Sequence, residues 1–165
     1  MPAYASGGYY AAGKTPDDLG DEMNDYLGMG FDAVKIKVGG VSTREDADRI
    51  AAAREAVGPD VPLFLDANNA WPDASSAVRA VSEWEEWDPG WIEEPLMPDD
   101  VAGHAEIAAA VATPVATGEI HATRWDFASL VEQDAAAVLQ PDAGVCGGIT
   151  EWRRIAALAS AHDIP

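Results

Sequence analysis

Short apolar runs alternate with longer amphipathic stretches along the whole chain. The short runs, bounded by glycine, proline or acidic residues, predict β-strands, and the stretches with apolar residues every three or four positions predict helices. The predicted strands are 3–5, 33–38, 62–66, 90–93, 114–117 and 137–140, and the predicted helices are 16–27, 43–57, 74–87, 101–111, 124–133 and 149–162. Thr43, with Asp46 three residues later, is predicted to cap the second helix.

Six successive strand–helix units predict an α/β fold with a parallel sheet and helices outside it. Two architectures share this alternation, the (β/α) barrel and the open doubly wound sheet. The chain has 165 residues, whereas a complete eight-stranded barrel usually needs about 250. If the fold is a barrel, we therefore expect an incomplete TIM-like barrel of about six β/α units.

Acidic residues stand at the ends of three successive predicted strands. Asp66, Glu93 and Glu119 each close such a strand, about one β/α unit apart. The carboxyl ends of barrel strands converge on one face, which carries active sites. Clustered carboxylates repel one another unless a cation neutralises them, and oxygen ligands favour Mg²⁺. The alternative is an acidic surface without function, but the matching strand-end positions favour a metal site.

Two of the three lysines stand two residues apart at the end of the second predicted strand. Period-two spacing directs the side chains of Lys35 and Lys37 to the same face of the sheet. A lysine buried next to a metal site can lose its proton and act as a base. The alternative is a solvated edge, but the apolar neighbours Val34, Ile36 and Val38 are typical of a strand buried in a parallel sheet.

The charge balance excludes some partners. Twenty-nine acidic and ten basic residues give a net charge of −19, so nucleic acid and anionic membrane surfaces are disfavoured. The acids are spread along the chain, and only three residues are lysine. Such a surface predicts a halophilic protein, because a high salt concentration screens the repulsion between like charges.

Cys146 is the only cysteine, so an internal disulfide is excluded. It is predicted to be a packing residue and not a nucleophile. Residues 1–10 lack the basic and apolar regions of a signal peptide, and no run approaches the ~20 apolar residues of a membrane span. These features predict a cytoplasmic protein.

The ordered set of motifs resembles the mandelate racemase/muconate lactonizing subgroup of the enolase superfamily, in its C-terminal barrel domain. Single motifs are weak, but their order and spacing agree over nearly the entire chain. The matching segments are Lys35-Ile36-Lys37, Asp66-Ala67-Asn68, Trp91-Ile92-Glu93-Glu94-Pro95, Gly118-Glu119 and Gln140-Pro141-Asp142 with Gly147-Gly148-Ile149-Thr150-Glu151.

The resemblance implies a role for each of the strand-end residues. Asp66, Glu93 and Glu119 would bind Mg²⁺. Lys37 would be the base on one face of the substrate. Lys35 would lower the pKa of Lys37 and contact the substrate carboxylate.

The resemblance also implies roles for residues next to this set. Asn68 would contact substrate or metal-bound water, Asp142 would orient a catalytic histidine on the opposite face, and Glu94 would support the metal ligands. His121 stands two residues after Glu119, so its direction makes it a candidate substrate contact. The other two histidines, His104 and His162, are predicted to be helical surface residues.

The chemistry that the resemblance implies is removal of the proton α to a carboxylate, with Mg²⁺ as cofactor and a small carboxylate as substrate. Segments 118–127 and 140–148 look most like those of acid-sugar dehydratases, which predicts a carbon–oxygen lyase acting on a sugar acid. A racemase or epimerase of 2-hydroxy acids is the first alternative. An inactive remnant of such an enzyme is the second.

In the family, a capping domain precedes the barrel, and the catalytic histidine lies on the strand after the run that is written here as residues 162–165. We therefore expect residues 1–165 to be a partial barrel that ends ~4 residues before that strand position. The capping domain and the closing strands would be absent. The isolated chain would then lack dehydratase turnover, and a homo-oligomer is compatible with the full-length form.

Overall fold

The computed structural model describes residues 3–165 and contains six strands that alternate with six helices. Met1 and Pro2, which belong to the segment 1–10 considered above for a signal peptide, lie outside the described residues. The strands are β1 (Ala5–Gly7), β2 (Val34–Lys37), β3 (Leu63–Asp66), β4 (Ile92–Glu93), β5 (Val115–Thr117) and β6 (Val138–Leu139). The helices are α1 (Pro16–Gly28), α2 (Thr43–Val57), α3 (Ala74–Trp84, followed by a 3₁₀ turn at Glu85–Trp87), α4 (Val101–Ala110), α5 (Arg124–Glu132) and α6 (Ile149–Ala161).

All neighbouring strands are parallel, and their order in the sheet is their order in the chain. A doubly wound sheet reverses its strand order at a switch point, and no reversal occurs among residues 3–165. The doubly wound alternative is therefore wrong. The six predicted β/α units are confirmed, in the strand order of a (β/α) barrel, with β1 and β6 as the edge strands of the described sheet.

The register of the strands gathers the polar residues on one face. Lys35 is paired with Phe64, Lys37 with Asp66, and Asp66 with Glu93. Alternating residues such as Ile36 are fully buried against the helices. Because side chains alternate between the two faces of a strand, the lysines and carboxylates share the face opposite the helices.

An aromatic layer lies next to this polar group, towards the beginning of the strands. The rings of Phe64 and Trp91 are stacked with their centroids 3.6 Å apart. Tyr4 meets both rings edge-on, at 5.4 and 5.6 Å. The layer contacts the polar group, since the Nζ of Lys35 lies 5.5 Å from the centroid of the Tyr4 ring.

The helices are short, and side chains cap most of their N-termini. The residue that caps α2 is Ser42 and not the predicted Thr43: the Ser42 hydroxyl accepts from the Glu45 amide, and the Glu45 carboxylate accepts from the Ser42 amide. Glu45 is free to complete this reciprocal pair with Ser42, whereas the carboxylate of Asp46, three residues after Thr43, accepts instead from the Tyr10 hydroxyl and the Gly39 amide. Within residues 3–165, no helix has the length and apolar character needed to cross a membrane.

The net charge of −19 predicts that the fold weakens as salt is diluted. Repulsion between exposed carboxylates acts over longer distances when the Debye length grows. We expect Tm, measured by circular dichroism, to rise between dilute and multimolar KCl. Equal Tm values at both concentrations would contradict the halophilic interpretation. Sulfate is unsuitable for this test, because it stabilises proteins by exclusion regardless of their charge.

Candidate active site

The ends of β2, β3 and β4 bring two lysines and two carboxylates into direct contact. The Nζ of Lys35 lies 2.6 Å from Oε1 of Glu93 and 3.0 Å from Oδ2 of Asp66. The Nζ of Lys37 lies 2.6 Å from the same Oδ2 of Asp66. Of the three carboxylates predicted to converge, Asp66 and Glu93 are joined through the two lysines, whereas Glu119 is exposed in the loop after β5 and makes no such contact among the described residues. The polar heads of the two lysines, Asp66 and Glu93 form one charged network at the C-terminal edge of the sheet.

Burial gives this network unusual electrostatics. The whole residues Asp66 and Glu93 are each only 1% exposed. Burial raises the pKa of Asp66, but the hydrogen bonds and charges of Lys37 and Lys35 outweigh it and hold the pKa below its ordinary value. Burial is the largest effect on Glu93 and, with the charge of Asp66, raises its pKa above the ordinary value, against the hydrogen bonds of Lys35 and Gln140 and the charge of Lys35. The two neighbouring carboxylates thus differ, since the pKa of Asp66 is lowered and that of Glu93 is raised.

Lys35 is a protonated lysine between two acids. Burial alone would lower its pKa, but the hydrogen bond and charge of Glu93, with the charge of Asp66, raise the pKa above its ordinary value. A charged Lys35 is compatible with its predicted role beside Lys37, which stays a prediction. Its ammonium group takes the place of a cation between the two carboxylates.

Glu94 adds a further buried acid beside the network. Burial, with repulsion by Glu119, Asp66 and Glu93, raises the pKa of Glu94 to about 7. Its Oε1 is buried without a hydrogen-bond partner among the described residues. Its backbone has φ 43°, a left-handed conformation that is unfavourable for a glutamate. A strained backbone and a buried acid with a perturbed pKa at one position are typical of a functional site.

Glu119 and Asp142 lie in loops after β5 and β6, and both are exposed. They line an open cleft of about 400 Å³ together with Lys35 and Glu93. Tyr4, Trp91, Gln140, Pro141 and Trp152 complete its lining. One carboxylate oxygen of Asp142 accepts a hydrogen bond from the Gly144 amide. The cleft therefore joins the strand-end residues of β2, β4, β5 and β6.

The structure does not bring Asn68 and His121 into this cleft. Asn68 is exposed with φ 43°, and its backbone amide donates to Oδ1 of Asp66 at 3.1 Å. His121 is buried against the ring of Phe127 and lines a separate cavity between the loops that follow β4 and β5. Burial lowers the pKa of His121. Their predicted substrate contacts remain predictions.

The two other histidines have different surroundings. His162 is exposed, as predicted. His104 is fully buried, so the prediction of a surface position is wrong. Its Nδ1 lies 2.9 Å from the carbonyl oxygen of Asp100, one helical turn earlier. Cys146 is buried, as expected of a packing residue.

The carboxylates present suit a hard divalent cation in number and chemistry, although their arrangement would have to change to enclose one. Within residues 3–165, no three His, Cys, Asp or Glu side chains already surround a common point. Lysines contact Oε1 of Glu93 and Oδ2 of Asp66. Four carboxylates, those of Asp66, Glu93, Glu94 and Glu119, face only two lysines, and this excess charge favours an oxygen-ligated cation.

The sequence motifs gave no role to three residues that contact the network. Trp91 Nε1 and Gln140 Nε2 donate to Oε2 of Glu93, at 3.2 and 2.8 Å. Arg49 on α2 donates to the backbone carbonyl of Lys37 at 3.2 Å. Trp91 is two residues before Glu93, and Gln140 comes directly after β6, close to the level at which Asp66 and Glu93 end β3 and β4, so position could have indicated both. No sequence signal indicated Arg49.

The raised pKa of Glu94 predicts a pH dependence of stability. Folding moves this pKa from 4.5 to about 7, so the folded chain binds more protons and its stability falls as pH rises through that window. The loss amounts to at most about 3 kcal/mol, at 1.36 kcal/mol per unit. Glu94→Gln should remove it, so that its Tm exceeds that of the unaltered chain above pH 7 and approaches it near pH 4.5.

Thermal melts from pH 4.5 to 8 in chelator check this prediction. The exposed Glu106→Gln variant on α4 is the control for general loss of negative charge, and it should shift Tm without changing the shape of the pH profile. Parallel profiles for the unaltered chain and Glu94→Gln would contradict the electrostatic role of Glu94.

Comparison with known proteins agrees with this geometry. The family model described as enolase C-terminal domain-like matches residues 18–165. A 3,6-anhydro-alpha-L-galactonate cycloisomerase of Streptomyces coelicolor is 39% identical over 147 residues, which are 89% of this chain and 40% of the relative. An L-talarate/galactarate dehydratase of Salmonella typhimurium is 41% identical over 133 residues, 81% of this chain and 33% of the relative.

A solved structure is similar over almost all of the chain. It is a racemase from Streptomyces coelicolor with bound magnesium, 37% identical, with a TM-score of 0.93 over 99% of this chain and 45% of that protein. The chain thus spans less than half the length of the relatives it matches. The match to the family model, the strand order and the strand-end residues agree: the chain belongs to the enolase superfamily and corresponds to its C-terminal domain.

Proposed function

We propose that residues 1–165 form part of the catalytic barrel of an enzyme that removes the proton α to the carboxylate of a sugar acid. The observation that carries the proposal is the contact of Lys35 and Lys37 with Asp66 and Glu93 at adjoining strand ends. A buried group of acids and lysines at this edge supports a base next to a set of oxygen ligands. Ion pairs that only stabilise the fold need no cleft beside them, whereas an active site does, and Lys35 and Glu93 line such a cleft.

The cofactor in this proposal is Mg²⁺, held by Asp66, Glu93 and Glu119. The magnesium in the similar racemase structure supports this choice of metal. When bound, the ion would stabilise the negative charge that develops on the substrate carboxylate as the α-proton leaves. With Glu94 and Glu119 counted beside the network, four carboxylates stand against two lysines, and this surplus of negative charge supports the same ligand set.

Lys37 is the proposed base, and Lys35 the proposed contact to the substrate carboxylate. To accept a proton, Lys37 must first be in its neutral form, which frees the nitrogen lone pair and still allows an N–H group to donate to Asp66. Lys35 stays charged, because its pKa is raised, which suits a partner for an anionic group. Asn68 and His121 remain proposed substrate contacts, and Asp142 remains the proposed partner of a catalytic histidine.

The proposed outcome is dehydration of the sugar acid, a carbon–oxygen lyase reaction in which the hydroxyl β to the carboxylate leaves. The similarity to an L-talarate/galactarate dehydratase supports it. Cycloisomerisation is a second candidate that the sequence motifs did not suggest, and the similarity to a cycloisomerase favours it. Racemisation or epimerisation remains the alternative indicated by the motifs, and the racemase structure is consistent with it.

Product analysis separates these outcomes. The full-length form is incubated with Mg²⁺ and a panel of sugar acids, and the products are identified by NMR. A 2-keto-3-deoxy acid would assign dehydration, a rearranged product of unchanged mass would assign cycloisomerisation, and an epimer would assign racemase-type chemistry. If none of these products forms and no α-proton is exchanged, the proposed function is wrong.

For the isolated chain of 165 residues, we expect no keto acid in the same assay. Departure of a hydroxyl requires an acid as well as a base, and Lys37 supplies only one of them. A positioned acid typically contributes about 10²–10⁴-fold to the rate. Keto acid formation at an enzymatic rate, abolished by Lys37→Ala, would show that another residue of this chain supplies the proton, with His121 as the first candidate.

A further inference from the structure

The carboxylate of Glu93 is held from both sides by donors on three different strands or strand ends. Its Oε1 accepts from Lys35 on β2 at 2.6 Å. Its Oε2 accepts from Gln140 Nε2 at 2.8 Å and from Trp91 Nε1 at 3.2 Å. A carboxylate offers about four acceptor positions, so three are used and one is left. The orientation of this carboxylate is therefore specified by several groups at once.

Gln140 makes the longest reach of these donors. It follows β6, which pairs with β5 and not with β4. Its side chain therefore crosses the end of β5 to meet Glu93 at the end of β4. The contact links residues 47 positions apart in the chain. This hydrogen bond therefore connects the ends of β4 and β6 across the end of β5.

Chemistry fixes which end of the Gln140 amide faces Glu93. An ionised carboxylate only accepts hydrogen bonds, so the NH₂ group must point to it. The amide oxygen is then buried without a hydrogen-bond partner among the described residues. An unpartnered buried acceptor is unfavourable, and this orientation persists because the NH₂ group binds a charged partner.

The backbone of Gln140 is held in place by β5. Its amide donates to the carbonyl of Thr117 at 3.0 Å. The next residue, Gly118, has φ +139°, and a Cβ there would lie 2.9 Å from the backbone nitrogen of Gln140 and 2.7 Å from the ring of Phe127. Only glycine lets the two backbones approach this closely. The backbone of Gln140 is thus fixed by β5, independently of the contact between its side chain and Glu93.

We propose that Gln140 is a positioning residue for the metal site, which orients the carboxylate of Glu93 for ligation through its side-chain NH₂ group. The inference rests on the proposed function, in which Glu93 binds Mg²⁺. Groups that hydrogen-bond to metal ligands typically affect metal affinity by about 10- to 100-fold. Gln140 is expected to act in this range.

The composition of the chain makes a direct test possible. Only two glutamines occur, Gln140 and Gln133, and Gln133 is exposed at the end of α5, where its side chain bonds Ser129. Selective ¹⁵N labelling of glutamine side chains therefore gives two NH₂ signals, assigned with Gln133→Met. Addition of Mg²⁺ should shift the Gln140 signal and leave the Gln133 signal in place.

A variant gives the second arm of the experiment. Isothermal titration with Mg²⁺ should show about 10- to 100-fold weaker binding for Gln140→Met and unchanged binding for the matched Gln133→Met. If Gln140→Met does not fold, the response of the two NH₂ signals of the unaltered chain to Mg²⁺ still tests the proposal. A Gln140 signal that stays in place while calorimetry detects Mg²⁺ binding would overturn the proposal. Absence of any Mg²⁺ binding by the unaltered chain would instead contradict the proposed function, and the role of Gln140 with it.

Discussion

Replacing Lys35 with methionine is expected to lower the free energy of unfolding of the metal-free chain by about 3–5 kcal/mol, the usual cost of removing one partner of a buried ion pair. Lys35 contacts both Glu93 and Asp66, which are each 1% exposed. Methionine keeps most of the side-chain volume but leaves the two acids facing each other. Urea unfolding in the presence of a chelator measures the effect.

Lys14→Met is the matched control for this change. Lys14 also pairs with an acid, Glu22, but both side chains are partly exposed, and exposed pairs contribute about 1 kcal/mol or less. Addition of Mg²⁺ should restore part of the stability lost in Lys35→Met, because a divalent cation can neutralise the same two acids. Equal losses in the two variants, or no Mg²⁺ effect on Lys35→Met, would contradict the role of Lys35 as a substitute cation.

Mg²⁺ is expected to stabilise the folded chain, and Glu93→Gln is expected to remove most of that gain. A ligand that binds only the native state stabilises it by about 2.7 kcal/mol at a hundred times its Kd. The amide of glutamine keeps the shape of the glutamate but is a poor ligand for a hard cation. Thermal melts with and without Mg²⁺, at constant ionic strength, measure the difference.

An acidic chain also gains stability from Mg²⁺ through general screening, so the control must remove one charge elsewhere. Glu83→Gln on α3 does this at an exposed position, and it should keep the full Mg²⁺-induced shift. An unchanged shift in Glu93→Gln would show that Glu93 is not a ligand.

The hydrophobic pattern predicted every strand and helix to within a few residues, because each short run lies between clear breaks. It also predicted the polar group, since residues at equivalent ends of parallel strands must converge. Lys35, Lys37, Asp66 and Glu93 are therefore in contact, as expected.

Side-chain direction beyond the strand ends was less predictable. The expected orientation of His121 assumed an extended chain after Glu119. The strand ends at Thr117, Gly118 has a positive φ, and the His121 amide bonds the Gly118 carbonyl in a turn. Alternation of side chains applies only to extended backbone, and His121 lines a cavity separate from the cleft.

Long-range contacts of single side chains could not be predicted from the sequence either. The burial of His104 depends on the packing of α4, not on its local pattern, and the bond from Gln140 to Glu93 depends on the exact approach of β5 and β6. The raised pKa values of Lys35 and Glu94 arise from the same three-dimensional proximity. These properties require the assembled sheet.

The exchange of the substrate α-proton with solvent tests the central claim most directly. The chain of 165 residues is incubated in D₂O with Mg²⁺ and a panel of sugar acids, and loss of the C2 proton signal is followed by NMR. We predict slow exchange that requires Mg²⁺, disappears in Lys37→Ala and persists in the exposed control Arg153→Ala. Exchange that continues unchanged in Lys37→Ala, or that never occurs with Mg²⁺ at saturation, would contradict the assignment of Lys37 as the base beside a magnesium site.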